Sequence, residues 1–115
     1  MKNAKYFLIV IPIAVLVYLW LAFSGGSSGL YDDFAKCLSE KGAVMYGADW
    51  CGHCKDQKAL FGDSFRYVNY VNCDYNRQSC IDAGVEGYPT WKIDNNNYPG
   101  TQNLEKLASL TNCTL

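Results

Sequence analysis

Apolar positions divide the chain into two unlike parts. From Tyr6 to Phe23, YFLIVIPIAVLVYLWLAF, eighteen residues run without a charge. A helix over them at about 1.5 Å per residue spans roughly 27 Å, close to a bilayer's hydrocarbon thickness. Pro12 falls near the start of the run, where a missing N–H costs least, and Tyr18 and Trp20 suit an interfacial aromatic belt near its far end. The pattern predicts a transmembrane anchor at 6–23. Lys2 and Lys5 favour residues 1–5 remaining in the cytoplasm and everything after Phe23 lying outside it. The alternative is a cleaved signal peptide, with Ala22-Phe23-Ser24 as a loose small-x-small site. Both readings export the rest of the chain, a flexible linker over 24–30 that contains SGGSSG and then a domain over 31–115.

In that domain the periodicity alternates between helical and extended. Leu30, Phe34, Cys37 and Leu38 recur at helical spacing, with Asp32 and Asp33 at the positive end and Lys41-Gly42 as a stop. AVMYGA, residues 43–48, reads as a strand that runs directly into a helix, CGHCKDQKALFG, ending at Gly62. FRYVNYVNC, from Phe65 to Cys73, alternates as a half-buried strand does. A short helical piece over Ser79–Ala83 stops at Gly84, and Gly87-Tyr88-Pro89 breaks the chain before the strand TWKID. DNNNYPG, residues 94–100, predicts a turn and a short edge strand, and Leu104, Leu107 and Ala108 mark a last helix that Asn103 can cap. Helix, strand, helix, strand, helix, strand, strand, helix is an α/β order with a parallel crossover followed by an antiparallel hairpin.

Composition narrows this picture. A chain of 115 residues leaves room for one small domain after the apolar run. The net charge is −1, with acidic and basic residues interleaved, and no basic face suggests nucleic acid as a partner. Six cysteines in so short a chain point to an oxidising, extracytoplasmic location: periplasm, cell exterior or a luminal equivalent.

Chemistry concentrates in GADWCGHCKDQ, residues 47–57. With Cys51 at the helix start, its sulfur meets unpaired N–H groups and the positive end of the helix dipole, which suits a thiolate nucleophile. Cys54, three residues on, lies one turn later on the same face and is the resolving thiol, so the redox group is the Cys51–Cys54 disulfide itself, with no other cofactor. His53 and Lys55 are the candidates for tuning the acidity of Cys51, since nearby positive charge stabilises the reduced pair and makes its disulfide a better oxidant. Three other readings compete. Cys51 and Cys54 with Cys73 and Cys80 could hold zinc, although the second pair has six residues between its members where zinc ribbons usually have two. The pair could be a structural staple, but so short a loop constrains the unfolded chain little. His53 on its own would be an ordinary surface histidine.

WCGHC after a strand resembles the active-site motif of the thioredoxin superfamily, and its CGHC core is similar to that of protein disulfide isomerase domains. GVEGYPTW, residues 84–91, resembles the family's loop with a cis-proline opposite the cysteines, and Gly100 falls where the family has a glycine before its last helix. More narrowly, KCLSEKGAVMYGADWCGHCKDQKALFG, the pair Cys73 and Cys80, and GVEGYPTW resemble the thioredoxin-like domain that works with homologues of vitamin K epoxide reductase.

The resemblance implies a compact thioredoxin-like fold, a central mixed sheet flanked by helices, with the usual first strand missing. It implies Cys51 as attacking thiol, Cys54 as resolving thiol, Pro89 as the cis-proline, and Trp50, Tyr88, Pro89 and Thr90 as the substrate-binding surface. Electrons would pass from cysteine-containing exported proteins to a vitamin K epoxide reductase-like or other quinone-linked membrane oxidoreductase. The reverse direction, disulfide reduction or isomerisation, is the alternative, and a metal-binding module comes from a different class. Met45 stands where thioredoxins carry a buried acid six residues before the first cysteine. Cys73 and Cys80 are expected to close a local disulfide, with a second redox relay as the alternative. Cys37 and Cys113 either pair, tying the first helix to the C-terminal tail, or leave Cys37 as a buried apolar residue, since six cysteines allow 15 connectivities.

Overall fold

The computed structural model describes residues 4–23 and 28–115, with the side chains of Ala4 and Phe7 excepted. Residues 1–3 of the expected cytoplasmic segment and 24–27 of the expected linker lie outside the described residues. Helix α1 (Ala4–Phe23) covers the first apolar run, and its side chains from Leu8 to Phe23 are exposed all round. Among the described residues no helix is long and apolar enough to cross a membrane.

The remaining elements are α2 (Asp32–Glu40), β1 (Val44–Gly47), α3 (Gly52–Phe61), a 3-10 turn (Gly62–Tyr67), β2 (Tyr70–Asn72), α4 (Arg77–Asp82), β3 (Thr90–Ile93), β4 (Asn96–Pro99) and α5 (Leu104–Thr111). The sheet order is β2-β1-β3-β4. β2 runs parallel to β1, with Met45 opposite Tyr70, while β3 is antiparallel to both β1 and β4. Among the described residues no strand precedes β1. The β3–β4 hairpin turns through Asp94 and Asn95 at φ 50° and 62°, the two left-handed positions a type I′ turn requires. Asn103 caps α5, its Oδ1 accepting from the Lys106 N–H at 2.8 Å.

One expected strand is mostly something else. The segment from Phe65 pairs only over Tyr70–Asn72, because residues 62–67 close a 3-10 turn. The turn is fixed by burial: the Ser64 hydroxyl accepts from the Tyr31 N–H at 2.9 Å, and Phe65 packs its ring edge-on to Phe61 at 5.9 Å. A short alternating run of aromatic and polar residues fits either conformation, and packing decides. Helix α4 also begins two residues before the expected Ser79.

Phe61 is the meeting point of the layers. Its ring lies 6.1 Å from Phe34 of α2 and 6.1 Å from Trp91 of β3, with Leu38, Met45 and Leu107 fully buried around them. Gln57, also fully buried, is clamped by three hydrogen bonds. Its Oε1 accepts from Trp91 Nε1 at 2.9 Å and from the Gln102 N–H at 2.7 Å, and its Nε2 donates to the Gln102 carbonyl at 2.9 Å. A buried amide so satisfied costs little and fixes α3 to β3 and to the segment entering α5.

Disulfides Cys37–Cys113 and Cys73–Cys80 close loops with sequence separations of 76 and 7. Constraint of the unfolded chain gives about 4.5 kcal/mol for the long loop and about 2.5 kcal/mol for the short one. The double variant Cys37→Ala/Cys113→Ala is therefore expected to lose roughly 2 kcal/mol more than Cys73→Ala/Cys80→Ala in urea unfolding. Equal losses would show that loop length does not set their contributions.

Candidate active site

The junction of β1 and α3 gives the two cysteines of CGHC different surroundings. Cys51 is the N-cap of α3, with extended backbone at φ −75° and ψ 120°, and its Sγ accepts from the Cys54 N–H at 3.1 Å. A helix-start donor and the positive end of the helix dipole thus converge on that sulfur. Both thiols are free, so the pair is in its reduced form. Cys51 retains 6% exposure whereas Cys54 has none, which makes Cys51 the sulfur a partner reaches first.

Cys54 lies under β1. A Cβ on Gly47 would sit 2.9 Å from the Cys54 sulfur and 3.2 Å from Cε2 of Tyr70, so only glycine lets the strand pass this close. Burial first, then the hydrogen bond with Cys51, pushes the Cys54 thiol up to about 11, while the charge of Lys58 acts in the opposite sense.

Lys58 and Asp49, which sequence reasoning did not single out, gather on Tyr70, whose ring borders Gly47 as that sulfur does. Lys58 Nζ is 3.6 Å from Asp49 Oδ1 and 4.2 Å from the centroid of the Tyr70 ring. The Tyr70 hydroxyl donates to Asp49 Oδ1 at 3.4 Å, and burial together with the Asp49 charge moves its ionisation above the usual phenol range. The available signal was the i, i+4 spacing from Cys54 to Lys58 on α3; nothing local marked Asp49 or Tyr70.

The structure places the predicted residues unevenly. The Tyr88–Pro89 bond is cis, Pro89 is buried, and its carbonyl accepts from the Gly100 N–H at 2.7 Å. Trp50 is 68% exposed and meets the Tyr88 ring edge-on at 5.9 Å, forming an aromatic rim beside the cysteines. Thr90 turns inward, buried, with its hydroxyl donating to the Gly87 carbonyl at 2.8 Å, so its side chain secures the loop instead of facing solvent. His53 is 80% exposed and lies 4.0 Å from Asp56, which draws its ring toward a carboxylate. Lys55 is exposed on the same helix and meets Cys51 through the backbone, its N–H donating to the Cys51 carbonyl at 3.1 Å. The cation that bears on the buried Cys54 thiol is Lys58. Cys73 and Cys80 are bonded to each other, so their sulfurs are not available to join Cys51 and Cys54 as metal-binding thiolates.

The thioredoxin family profile matches residues 30–112. The chain is 38% identical over 109 residues to thiol-disulfide oxidoreductase LTO1 of Arabidopsis thaliana, covering 87% of this chain and 29% of that protein. It is 30% identical over 92 residues to a protein disulfide-isomerase of Aspergillus niger, covering 68% of this chain and 18% of that one. The chain thus spans less than a third of the length of these relatives. A solved structure, the first thioredoxin domain of mouse protein disulfide-isomerase A4, aligns with a TM-score of 0.45 at 20% identity over 77% of this chain and 85% of that one. With the profile covering nearly all of the sheet and helices that frame Cys51 and Cys54, the chain belongs to the thioredoxin family.

Proposed function

We propose that the domain oxidises cysteines of exported proteins outside the cytoplasm, tethered to the membrane through residues 6–23, and is reoxidised by a vitamin K epoxide reductase-like or other quinone-linked membrane oxidoreductase. The observation that carries the exchange chemistry is the inequality of the two sulfurs, Cys51 at the helix start with a sliver of exposure, Cys54 with none. Two further disulfides fit an oxidising compartment, and the uncharged run at 6–23 fits a tether. The exposed ring of Trp50 against Tyr88 offers an apolar edge for an extended substrate.

In the oxidised domain, a substrate thiolate attacks Cys51 Sγ, the Cys51–Cys54 bond breaks, and Cys54 leaves with the bonding pair. A second substrate thiolate then attacks the substrate sulfur of the mixed disulfide and Cys51 leaves. The substrate gains a disulfide, and two electrons and two protons remain on the domain. The isomerase names of several relatives favour a second reading, rearrangement of wrong disulfides, which uses the same two sulfurs. Redox titration of the domain against glutathione separates them: a potential near that of strong oxidants supports oxidation, and a thioredoxin-like value rejects it.

Cys51→Ser is expected to abolish exchange with a dithiol peptide, and Cys54→Ser to accumulate the peptide as a stable mixed disulfide on Cys51. Turnover by Cys51→Ser at the native rate would reject Cys51 as the attacking sulfur and Cys54 as the resolving one. A pH dependence follows from Cys54, whose ionisation is raised from its ordinary 9.0 to about 11 by folding. A raised value means that burial of the neutral thiol contributes fully below pH 9 and is lost as pH climbs through about 11. Urea unfolding at stepped pH is expected to show the reduced domain losing stability relative to the oxidised one across that window, since the disulfide has no thiol to titrate.

A further inference from the structure

Each exchange requires the Cys54 sulfur to be an anion for an instant, as leaving group in one direction and as attacking group in the other. That sulfur is wholly enclosed. A buried anion without a compensating charge is strongly disfavoured, so something facing it must supply one. The neighbouring groups divide by element. From the start of α3 comes Cys51, whose own sulfur is the electrophile or the nucleophile. From β1 and the residue after it come Gly47 and Ala48, which bring no polar side chain, and Met45 of the same strand is apolar. From β2 comes Tyr70, whose side chain borders Gly47 on the same side as the sulfur. From the loop after β1 comes Asp49, a negative charge, and one turn further along α3 comes Lys58. His53 and Lys55 are exposed, and His53 lies toward Asp56.

We propose that Lys58 is the positioning charge for Cys54, held in place by Asp49 and by the face of Tyr70, and that it stabilises the buried sulfur as a thiolate in each exchange. An ordinary surface lysine places its ammonium in water, where screening removes most of its effect. Lys58 is held instead. Its side chain is 29% exposed, its ammonium sits 4.2 Å from the Tyr70 ring centroid and 5.5 Å from that of Phe65, and Asp49 anchors it at 3.6 Å. The Tyr70 hydroxyl, bonded to the same carboxylate oxygen, orients the anchor. When the Cys51–Cys54 bond opens, Cys54 departs with the electron pair beside this cation and then takes a proton from solvent. In reverse, the thiol releases its proton to solvent, the thiolate attacks Cys51 Sγ, and the substrate sulfur leaves as a thiolate.

The inference rests on Cys51 as attacking sulfur, and one experiment reads the two claims separately. Reduced domain mixed with 5,5′-dithiobis(2-nitrobenzoate) releases one thionitrobenzoate when Cys51 attacks and a second when Cys54 resolves the mixed disulfide. With Lys58→Gln, the second phase is expected to slow at least tenfold at pH 7 and its pH midpoint to move up, while the first phase stays within twofold. Lys58→Arg is expected to restore the profile. Asp49→Asn, at an exposed position, should slow the second phase without loss of fold and serves if Lys58→Gln does not fold. A normal first phase with an unshifted second-phase profile in either variant overturns the role of Lys58. Absence of the first phase in the unsubstituted protein overturns the assignment of Cys51 and this inference with it.

Discussion

The close approach of β1 to the start of α3, with Gly47 against Cys54, is the constraint on which the site depends. It seals one sulfur and leaves the other at the helix edge, so a partner can enter by one route only. A side chain at residue 47 would have to displace the Cys54 sulfur or the Tyr70 ring. The order proposed, attack at Cys51 and resolution at Cys54, follows from this packing before any electrostatic effect is considered.

Holding that approach in a small domain takes unusual means. The four strands are three or four residues long, and hydrophobic burial in so small a domain leaves little to spare. The Gln57 clamp fixes the middle of α3 directionally, where an apolar residue would allow sliding, and Phe61 fixes its end against α2 and β3. The Cys37–Cys113 bond joins α2 to the segment after α5, so the helices on which the sheet rests cannot part. Together these hold the active pair at a defined depth.

Much of this was legible because it was local. The helix start at Cys51, the Asp-Asn turn, the cap at Asn103 and the edge position of Pro99 each follow from residues within a few positions of one another. The 62–67 turn was not legible, since Phe65 and Tyr67 alternate like strand residues and only contact with Phe61 and Tyr31 fixes their conformation. The surroundings of the buried sulfur were no more legible. His53 and Lys55, near Cys51 in sequence, are exposed, whereas helical spacing and a ring from β2 bring Lys58 toward the surroundings of Cys54. Nothing local marks Gln57 as buried, because its hydrogen-bond partners come from two other segments.

Met45 shows how such a site can be rearranged without losing its chemistry. A carboxylate there would face Trp91 and Tyr70 across the sheet, deep in the core, and would need its own buried partner. With methionine in that place the strand packs without charge, and the charged pair sits at the rim, where Asp49 stays largely in water and Lys58 is only partly withdrawn from it. A cation fixed at the boundary avoids most of the desolvation cost yet still acts on a sulfur with no solvent of its own. On the role proposed for Lys58, the chain keeps charge out of its core and leaves the stabilisation of the buried sulfur to one ion pair at the rim.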